Sequence, residues 1–295
     1  MLKACGLGLN VIACVHKNFL KGPLIRCLSW PLEDHNSFVS RMEQCRPDWV
    51  IHCAACTDVD HCEEQPEFAF RLNAVAAGEM ARATANIGAA FAYISTDSVF
   101  CGEAGKYAET DPPSPINTYA RSKLAGEERV FYAHSSALVV RSNLFGWNAQ
   151  RKQSLAEWIL NRLEAGKTVP GFSDVWFNPL HAADLADVIL QLLDRGTHGL
   201  LHAGSADACS KYEFARIVAE TFEKDVEQVK LTALSDVPMR ASRPMNTVLD
   251  VTQICSLLGR GMPTIREGVQ AMRDMEKEGG RVRLNDLIGE VVLWK

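Results

Sequence analysis

Tyr119-Ala120-Arg121-Ser122-Lys123 puts a phenol and an ammonium four residues apart, one helical turn along the same face. A free tyrosine has a pKa of about 10 and exchanges protons poorly in neutral water. A cation beside it favours the phenolate. Lowering a pKa by one takes about 1.4 kcal/mol, so bringing the phenol to neutrality takes about 4 kcal/mol. Upstream, Ser95-Thr96-Asp97 closes an apolar run. The Thr96 hydroxyl could fix a carbonyl or alcohol oxygen beside the phenol. Together these groups form a device for moving a proton while a hydride moves elsewhere. The Tyr-x-x-x-Lys spacing alone also suits an ordinary solvated helix face. Its position after an apolar strand ending in Ser-Thr-Asp is what points to chemistry.

Strands and helices alternate around these residues. Asn10 to Val15, Trp49 to Ala54, Ala90 to Ser95 and Ala137 to Arg141 read as buried strands. Asn36 or Ser37 caps a helix to about Cys45, and Pro66 opens a long one through Ala83, with Gly88 past its end. Pro112, Pro113 and Pro115 mark a loop before the helix of Tyr119 and Lys123. Continuous apolar strands separated by helices predict a parallel sheet covered on both faces. Ligands of such sheets lie outside the carboxyl ends of the strands, so Thr57, Thr96 and Ser142 face one crevice. Beyond Gly146, helices over Ser154 to Ala165, His181 or Ala182 to Leu193 and Lys211 to about Phe222 alternate with short strands such as Gly199 to His202. They read as a smaller lobe over the crevice, partly interleaved with the sheet.

The chain of 295 residues, 47% hydrophobic and 23% charged, has the composition of an ordinary globular protein. A formal net charge of -5 and the lack of a basic stripe give no reason to expect nucleic acid. No apolar run approaches the roughly 20 residues that span a bilayer. Asn10 and His16 interrupt the apolar start, which argues against a signal peptide. The ten cysteines are irregularly spaced. Cys53, Cys56 and Cys62, with His52 and His61 nearby, lack the paired spacing of a zinc site. Buried, reduced thiols in a cytoplasmic chain without a metal fit better.

These motifs resemble the extended short-chain dehydrogenase/reductase family, and within it the dTDP-4-dehydrorhamnose reductase group. The matching stretches are His52 to Asp60, Leu72-Asn73-Ala74, Ile94 to Gly102, Asn117 to Glu127, Val140 to Gly146, Pro179 to Asp184, Tyr212 to Ala215 and Arg243 to Asn246. The resemblance implies a Rossmann-like, doubly wound parallel α/β sheet with a smaller C-terminal substrate lobe. It divides the chain into a cofactor domain over 1–146, a mainly substrate lobe over 147–272 and a tail over 273–295. It implies an NAD(P)H-dependent reductase of a nucleotide-linked keto-sugar, with a homodimer as a candidate assembly. In that reading Tyr119 is the general acid, Lys123 lowers its pKa and holds the nicotinamide ribose, and Thr96 bonds the reacting oxygen. Asn73 supports the lysine and cofactor. Ala54, Ala55 and Thr57 line the cofactor, and Ser142, Asn143 and Leu144 flank the nicotinamide. Asp97, Ser98, Asn178, Arg243 and Asn246 face the substrate. Plainer roles stand beside these: a helix polar residue for Asn73, a loop cap for Asp97, and a surface ion pair for Arg243. A non-catalytic regulatory subunit on the same fold, resembling the β subunit of methionine adenosyltransferase, is the alternative function.

Three departures from the family pattern bear on this expectation. Ser98 and Asn143 stand where aromatic residues are usual, which argues against the rhamnose precursor as substrate. His16-Lys17 ends the first visible strand with no acid to hold a ribose hydroxyl, favouring NADP(H) over NAD(H). Gly6-Leu7-Gly8 follows no strand and opens no helix, so it fails as a phosphate loop and reads as a helix end leading into the second strand. The expectation is a chain without the first strand and its glycine-rich turn.

Overall fold

The computed structural model describes residues 2–15, 19–20, 25–30, 32, 37–148, 153–280 and 288–289. The chain opens with helix α1 (Leu2–Gly6), and Gly8, at φ +76°, turns it towards strand β1 (Val11–Val15). The glycines therefore do end a helix. β2 (Phe19–Leu20) and β3 (Ile25–Ser29) follow, and β1 pairs in parallel with β3, Val11 opposite Ile25. The strand β3 is not evident from apolar periodicity, because Arg26 and Cys27 interrupt the run.

Helix α2 (Ser37–Cys45) leads to β4 (Trp49–His52). Then come α3 (Val59–Glu64), α4 (Pro66–Phe70), a π-helical turn over Arg71–Val75 and α5 (Ala76–Asn86). The single helix expected from Pro66 is thus interrupted at Asn73. β5 (Ala90–Thr96), α6 (Thr118–Ala133) and β6 (Leu138–Ser142) complete the part that carries Tyr119.

The later segments are β7 (Leu144–Phe145), α7 (Leu155–Glu164), β8 (Val169–Phe172), β9 (Trp176–Phe177), β10 (Leu180–His181), α8 (Ala182–Asp194), β11 (Gly199–Ala203), β12 (Cys209–Ser210), α9 (Lys211–Thr221) and β13 (Val229–Thr232). Helices α10 (Thr252–Leu258) and α11 (Ile265–Lys277) and the short β14 (Ile288–Gly289) follow. The tail boundary expected at Arg273 falls inside α11. Arg273 is held there by the Thr221 carbonyl and Glu223.

The main sheet has the order β11-β6-β5-β4, all parallel. Alternation along its strands divides the core. Phe91, Tyr93 and Val139 pack with Phe38, Met42, Met80 and Val130 on the face of α2, α5 and α6. Ala92, Leu138 and Val140 pack with Leu185, Val188, Ile189 and Ile254 on the face of α8 and α10. Two covered faces explain why these strands read as unbroken apolar runs. The β1–β3 pair forms a separate sheet. Among the described residues, neither the outer edge of β1 nor that of β4 has a ladder partner. A third cluster, including Ile159, Leu160, Phe214, Val218, Val269 and Met272, joins α7, α9 and α11. Among the described residues no helix is long and apolar enough to cross a membrane.

Candidate active site

Thr96 is the last residue of β5, and its hydroxyl accepts the Ser98 amide at 3.2 Å, capping a one-turn 3₁₀ helix. That turn swings Asp97 inward, where it is 2% exposed. Its Oδ1 accepts from the Thr96 and Ser98 hydroxyls, both at 3.2 Å. Its Oδ2 accepts from Asn143 Nδ2 at 2.9 Å and from Thr247 Oγ1 at 2.5 Å. Burial raises the carboxyl's pKa, and the bonds from Thr247, Asn143, Thr96 and Ser98 oppose the rise. The two positions expected to carry aromatics therefore carry donors to a buried carboxylate.

Tyr119 enters from the first turn of α6. Asn117 caps that helix, its Oδ1 accepting the Ala120 amide at 2.9 Å while its Nδ2 reaches the Ser242 carbonyl at 2.9 Å. This cap sets the phenol in hydrogen-bonding contact with the Thr96 hydroxyl. Burial pushes the phenol well above its usual pKa, the Thr96 bond opposes this, and Asp97 adds to it. Lys123, 2% exposed, donates to the Ile94 carbonyl at 2.7 Å and lies 3.9 Å over the Tyr93 ring. Burial lowers its pKa to about 7, with Glu127 and then Cys53 opposing. A buried ammonium needs local partners, and a backbone carbonyl and a ring face supply them. Burial therefore favours the neutral form of the Tyr119 phenol.

Asn73, fully buried, clamps the loop after β4. Its Oδ1 accepts the Cys56 amide at 2.7 Å, and its Nδ2 donates to the Cys56 carbonyl at 3.0 Å and to Ser122 Oγ at 2.9 Å. Ser122 in turn donates to the Tyr119 carbonyl at 2.7 Å, and the Tyr93 hydroxyl donates to the Asn73 carbonyl at 2.9 Å. The π-helical turn makes this reach possible. β4 stops at His52 instead of running to Ala54, and four residues further along the loop the backbone of Cys56 is bonded to Asn73. Ala54 and Thr57 are exposed and Ala55 half-buried on this loop.

At the end of β6, Ser142 pairs with Thr96 in the ladder, and its buried hydroxyl has no hydrogen-bond partner. Leu144 is 40% exposed. Three expected substrate residues are tied up by the fold. Asn178 donates to the Ser205 and Leu249 carbonyls and accepts the Leu249 amide, joining three segments. Arg243 pairs with Asp60 at 3.1 Å, the plainer role set beside it. Asn246 accepts the Val248 amide at 3.3 Å and packs on Gly105. His16 and Lys17 lie outside the described residues.

The RmlD substrate binding domain matches residues 3–277. The chain belongs to this family, within the extended short-chain dehydrogenase/reductases. It is 35% identical over 245 residues to a probable low-salt glycan biosynthesis reductase of Haloferax volcanii, covering 82% of each chain. It is 34% identical over 235 residues to the methionine adenosyltransferase 2 subunit beta of Mus musculus, covering 76% of this chain and 69% of that one. Its fold matches the dTDP-4-dehydrorhamnose reductase of Bacillus anthracis in complex with NADP, with TM-score 0.81, 27% identity, and 90% and 98% of the two chains covered.

The RmlD family implies a nicotinamide dinucleotide, and the crevice can be tested for it. The orphaned Ser142 hydroxyl, opposite Thr96 in the ladder, is a buried polar atom that fits the amide-bearing end of such a group. Among the described residues no Gly-x-x-Gly-x-x-Gly turn follows a strand of the main sheet. The fit is thus at the nicotinamide end.

Several residues of this site carry no signal in the sequence. Thr247 follows Asn246, yet it is Thr247 that reaches Asp97. Lys211 opens α9 within the stretch next to β9. Burial lowers its pKa, attraction to Asp97 opposes this, and Arg243 repels it. His52 Nε2 is buried without a partner, and burial, with Lys123 adding, lowers the imidazole's pKa to about 3. Of the three clustered thiols expected to be buried, only Cys62 is. Cys53 is exposed and Cys56 half-buried, because the loop leaves the ladder after His52.

Proposed function

We propose that the chain is a cytoplasmic NADP(H)-linked reductase of a nucleotide-linked keto-sugar. The observation that carries this reading is the Tyr119 phenol, bonded to Thr96 and kept protonated by burial. Reduction of a ketone needs a proton donor, and a neutral phenol is one. NADPH, when bound, supplies the hydride that the carbonyl carbon receives. Tyr119 gives its proton to the carbonyl oxygen, which becomes the alcohol, and is left as phenolate. Thr96 donates to the same oxygen and fixes it beside the phenol. Lys123, with a pKa of about 7, parts with a proton more readily than an ordinary lysine and suits the task of restoring the phenol. Ala54, Ala55 and Thr57 line the cofactor, Asn73 supports the loop that carries them, and Ser142 flanks the nicotinamide.

The substrate side is polar. Ser98, Asn143 and Thr247 converge on Asp97, and Lys211 senses the same carboxylate. Such a surface offers a sugar hydrogen bonds rather than a stacking face. We expect poor turnover of dTDP-4-dehydrorhamnose relative to another keto-sugar, measured across a panel of nucleotide-linked keto-sugars. Exclusive, efficient use of the rhamnose precursor overturns this. On the substrate that is turned over, Tyr119→Phe lowers kcat by about two to four orders of magnitude while cofactor affinity changes little. A parental rate in the Phe variant removes Tyr119 from the role. A second reading, a binding or regulatory subunit, is favoured by the edges of β1 and β4 that have no ladder partner, and the lack of a glycine-rich turn, among the described residues. NADPH binding without turnover of any sugar in the panel would establish it.

A further inference from the structure

Cys56 and Cys62 carry the closest pair of thiols among the described residues that no step above uses. Their sulfurs are 3.4 Å apart, inside the sum of two sulfur radii, and the Cys62 thiol also lies 3.5 Å from the Cys56 carbonyl. Both are reduced in this structure. Their surroundings differ in a useful way. Cys56 is half-buried on the loop that faces the crevice, whereas Cys62 is fully buried in α3. The pair is held by two fixed ends. Asn73 grips the backbone of Cys56 on both sides, and Asp58 caps α3 by accepting the His61 amide at 3.0 Å. Chain wandering therefore does not separate the sulfurs, and only about 1.4 Å of approach distinguishes them from the roughly 2.05 Å of a bond.

We propose that Cys56 and Cys62 are a reversible dithiol–disulfide site that acts on the loop gripped by Asn73. The co-reactant is a low-molecular-weight disulfide of the glutathione type. The Cys56 thiolate attacks one of its sulfurs, forming a mixed disulfide and releasing one thiolate. Cys62, already in contact, attacks the Cys56 sulfur and releases the second thiolate. The two cysteines lose two electrons and two protons, and the reagent leaves as two thiols. Exposure fixes the order, because the reagent reaches Cys56 and not Cys62. Closing the bond draws Cys56 towards α3, against the bonds Asn73 makes to its amide and carbonyl. Those bonds continue through Ser122 to the backbone of Tyr119. Tyr119 also senses the charge of both thiols, which places the pair within electrostatic range of the phenol.

The test treats the full chain with oxidised glutathione, blocks remaining thiols by alkylation and digests with a protease that cuts before aspartate. Cleavage at Asp48, Asp58, Asp60 and Asp97 separates Cys53 and Cys56, on fragment 48–57, from Cys62, on fragment 60–96. The expected result is the two fragments joined, released by dithiothreitol, in the parent and in Cys53→Ser. The joined pair is absent in Cys62→Ser and in Cys56→Ser, with melting curves verifying that each variant folds. In Cys62→Ser, glutathione stays on Cys56 because nothing displaces it. The proposal is overturned if the fragments stay separate in the parent, if the bond closes within 48–57 between Cys53 and Cys56, or if the joined pair survives in Cys56→Ser. The linkage is read without any substrate. A second readout rests on the reductase reading: turnover falls at least about tenfold on oxidation and returns with dithiothreitol.

Discussion

The β1–β3 pair and the β4–β5–β6–β11 sheet are both parallel, yet they are secured differently. In the larger sheet β5 is laddered on both sides, and its residues and those of β6 are almost all buried. The smaller pair shares no ladder with it. Trp30, just past β3, packs with Phe38 and Met42 of α2 in the same cluster as Phe91 and Tyr93. Thr96, Tyr119, Lys123 and Ser142 all stand on the laddered block or on α6 against it. The contrast teaches that Thr96 and Ser142 are set by backbone registry, whereas the N-terminal strands are held to the sheet through Trp30 and α2. A ladder fixes a strand to within one residue, because a slip turns every side chain to the other face. Packing on one apolar face is more forgiving.

The largest expected difference is in amide exchange. Amides of β5 and β6 exchange only through global unfolding, while those of β1 open locally and exchange orders of magnitude faster. Equal protection in native-state exchange measurements would show that the two sheets unfold as one unit. The next test strikes the laddered block. Glu127 is bonded to Arg141 Nε at 3.0 Å and Nη2 at 2.7 Å, and to the Ser95 hydroxyl, all buried. Glu127→Ala leaves the Arg141 charge unpaired and lowers stability by about 3–5 kcal/mol in urea unfolding.

A pH effect within the same block comes next. Lys123 titrates at about 7 in the fold against 10.5 for an ordinary lysine. Between those values the unfolded chain holds a proton that the folded chain lacks, so stability rises with pH across this window. The penalty is fully present below pH 7 and fades towards 10.5, on the order of a few kcal/mol in all. Lys123→Met removes that rise and raises stability at pH 7, measured by unfolding at a series of pH values. A smaller change tests how α6 meets the π-helical turn. A methyl group on Gly126 would collide with the Tyr93 hydroxyl and the Asn73 carbonyl. Gly126→Ala therefore lowers stability by about 1–3 kcal/mol and loosens the Asn73 clamp, seen as faster exchange of the Cys56 amide. A neutral result would mean that α6 can shift without disturbing Asn73. The smallest effect falls on the other side of the comparison. Arg41 donates to the Ser29 carbonyl at 2.8 Å and lies 5.3 Å over Trp30. Arg41→Ala lowers stability by only about 0.5–1 kcal/mol in the same urea measurement.

Much of this was legible in the sequence because it rests on period and local chemistry. Apolar runs marked β1, β4, β5 and β6, the loop ending at Pro115 placed α6, and the Ser-Thr-Asp ending brought Thr96 to Tyr119. Residues whose roles depend on the assembled fold were not legible. Asn178 sits in a crevice-side position by sequence, yet its amide group is consumed by the backbone of Ser205 and Leu249. Thr247 and Lys211 reach Asp97 from segments over a hundred residues distant.

By itself, then, the sequence determined that a parallel sheet would form, which strand ends would carry hydroxyls, and that a tyrosine and a lysine would share a helix face. Those properties follow from spacings of two, three and four residues. The tertiary structure decided the rest. It turned Lys123 to the Ile94 carbonyl, buried the Tyr119 phenol against Thr96, surrounded Asp97 with donors from Ser98, Asn143 and Thr247, and brought Cys56 to Cys62. Each of these depends on which groups lose water together, and burial is a property of the assembled core rather than of any stretch of chain.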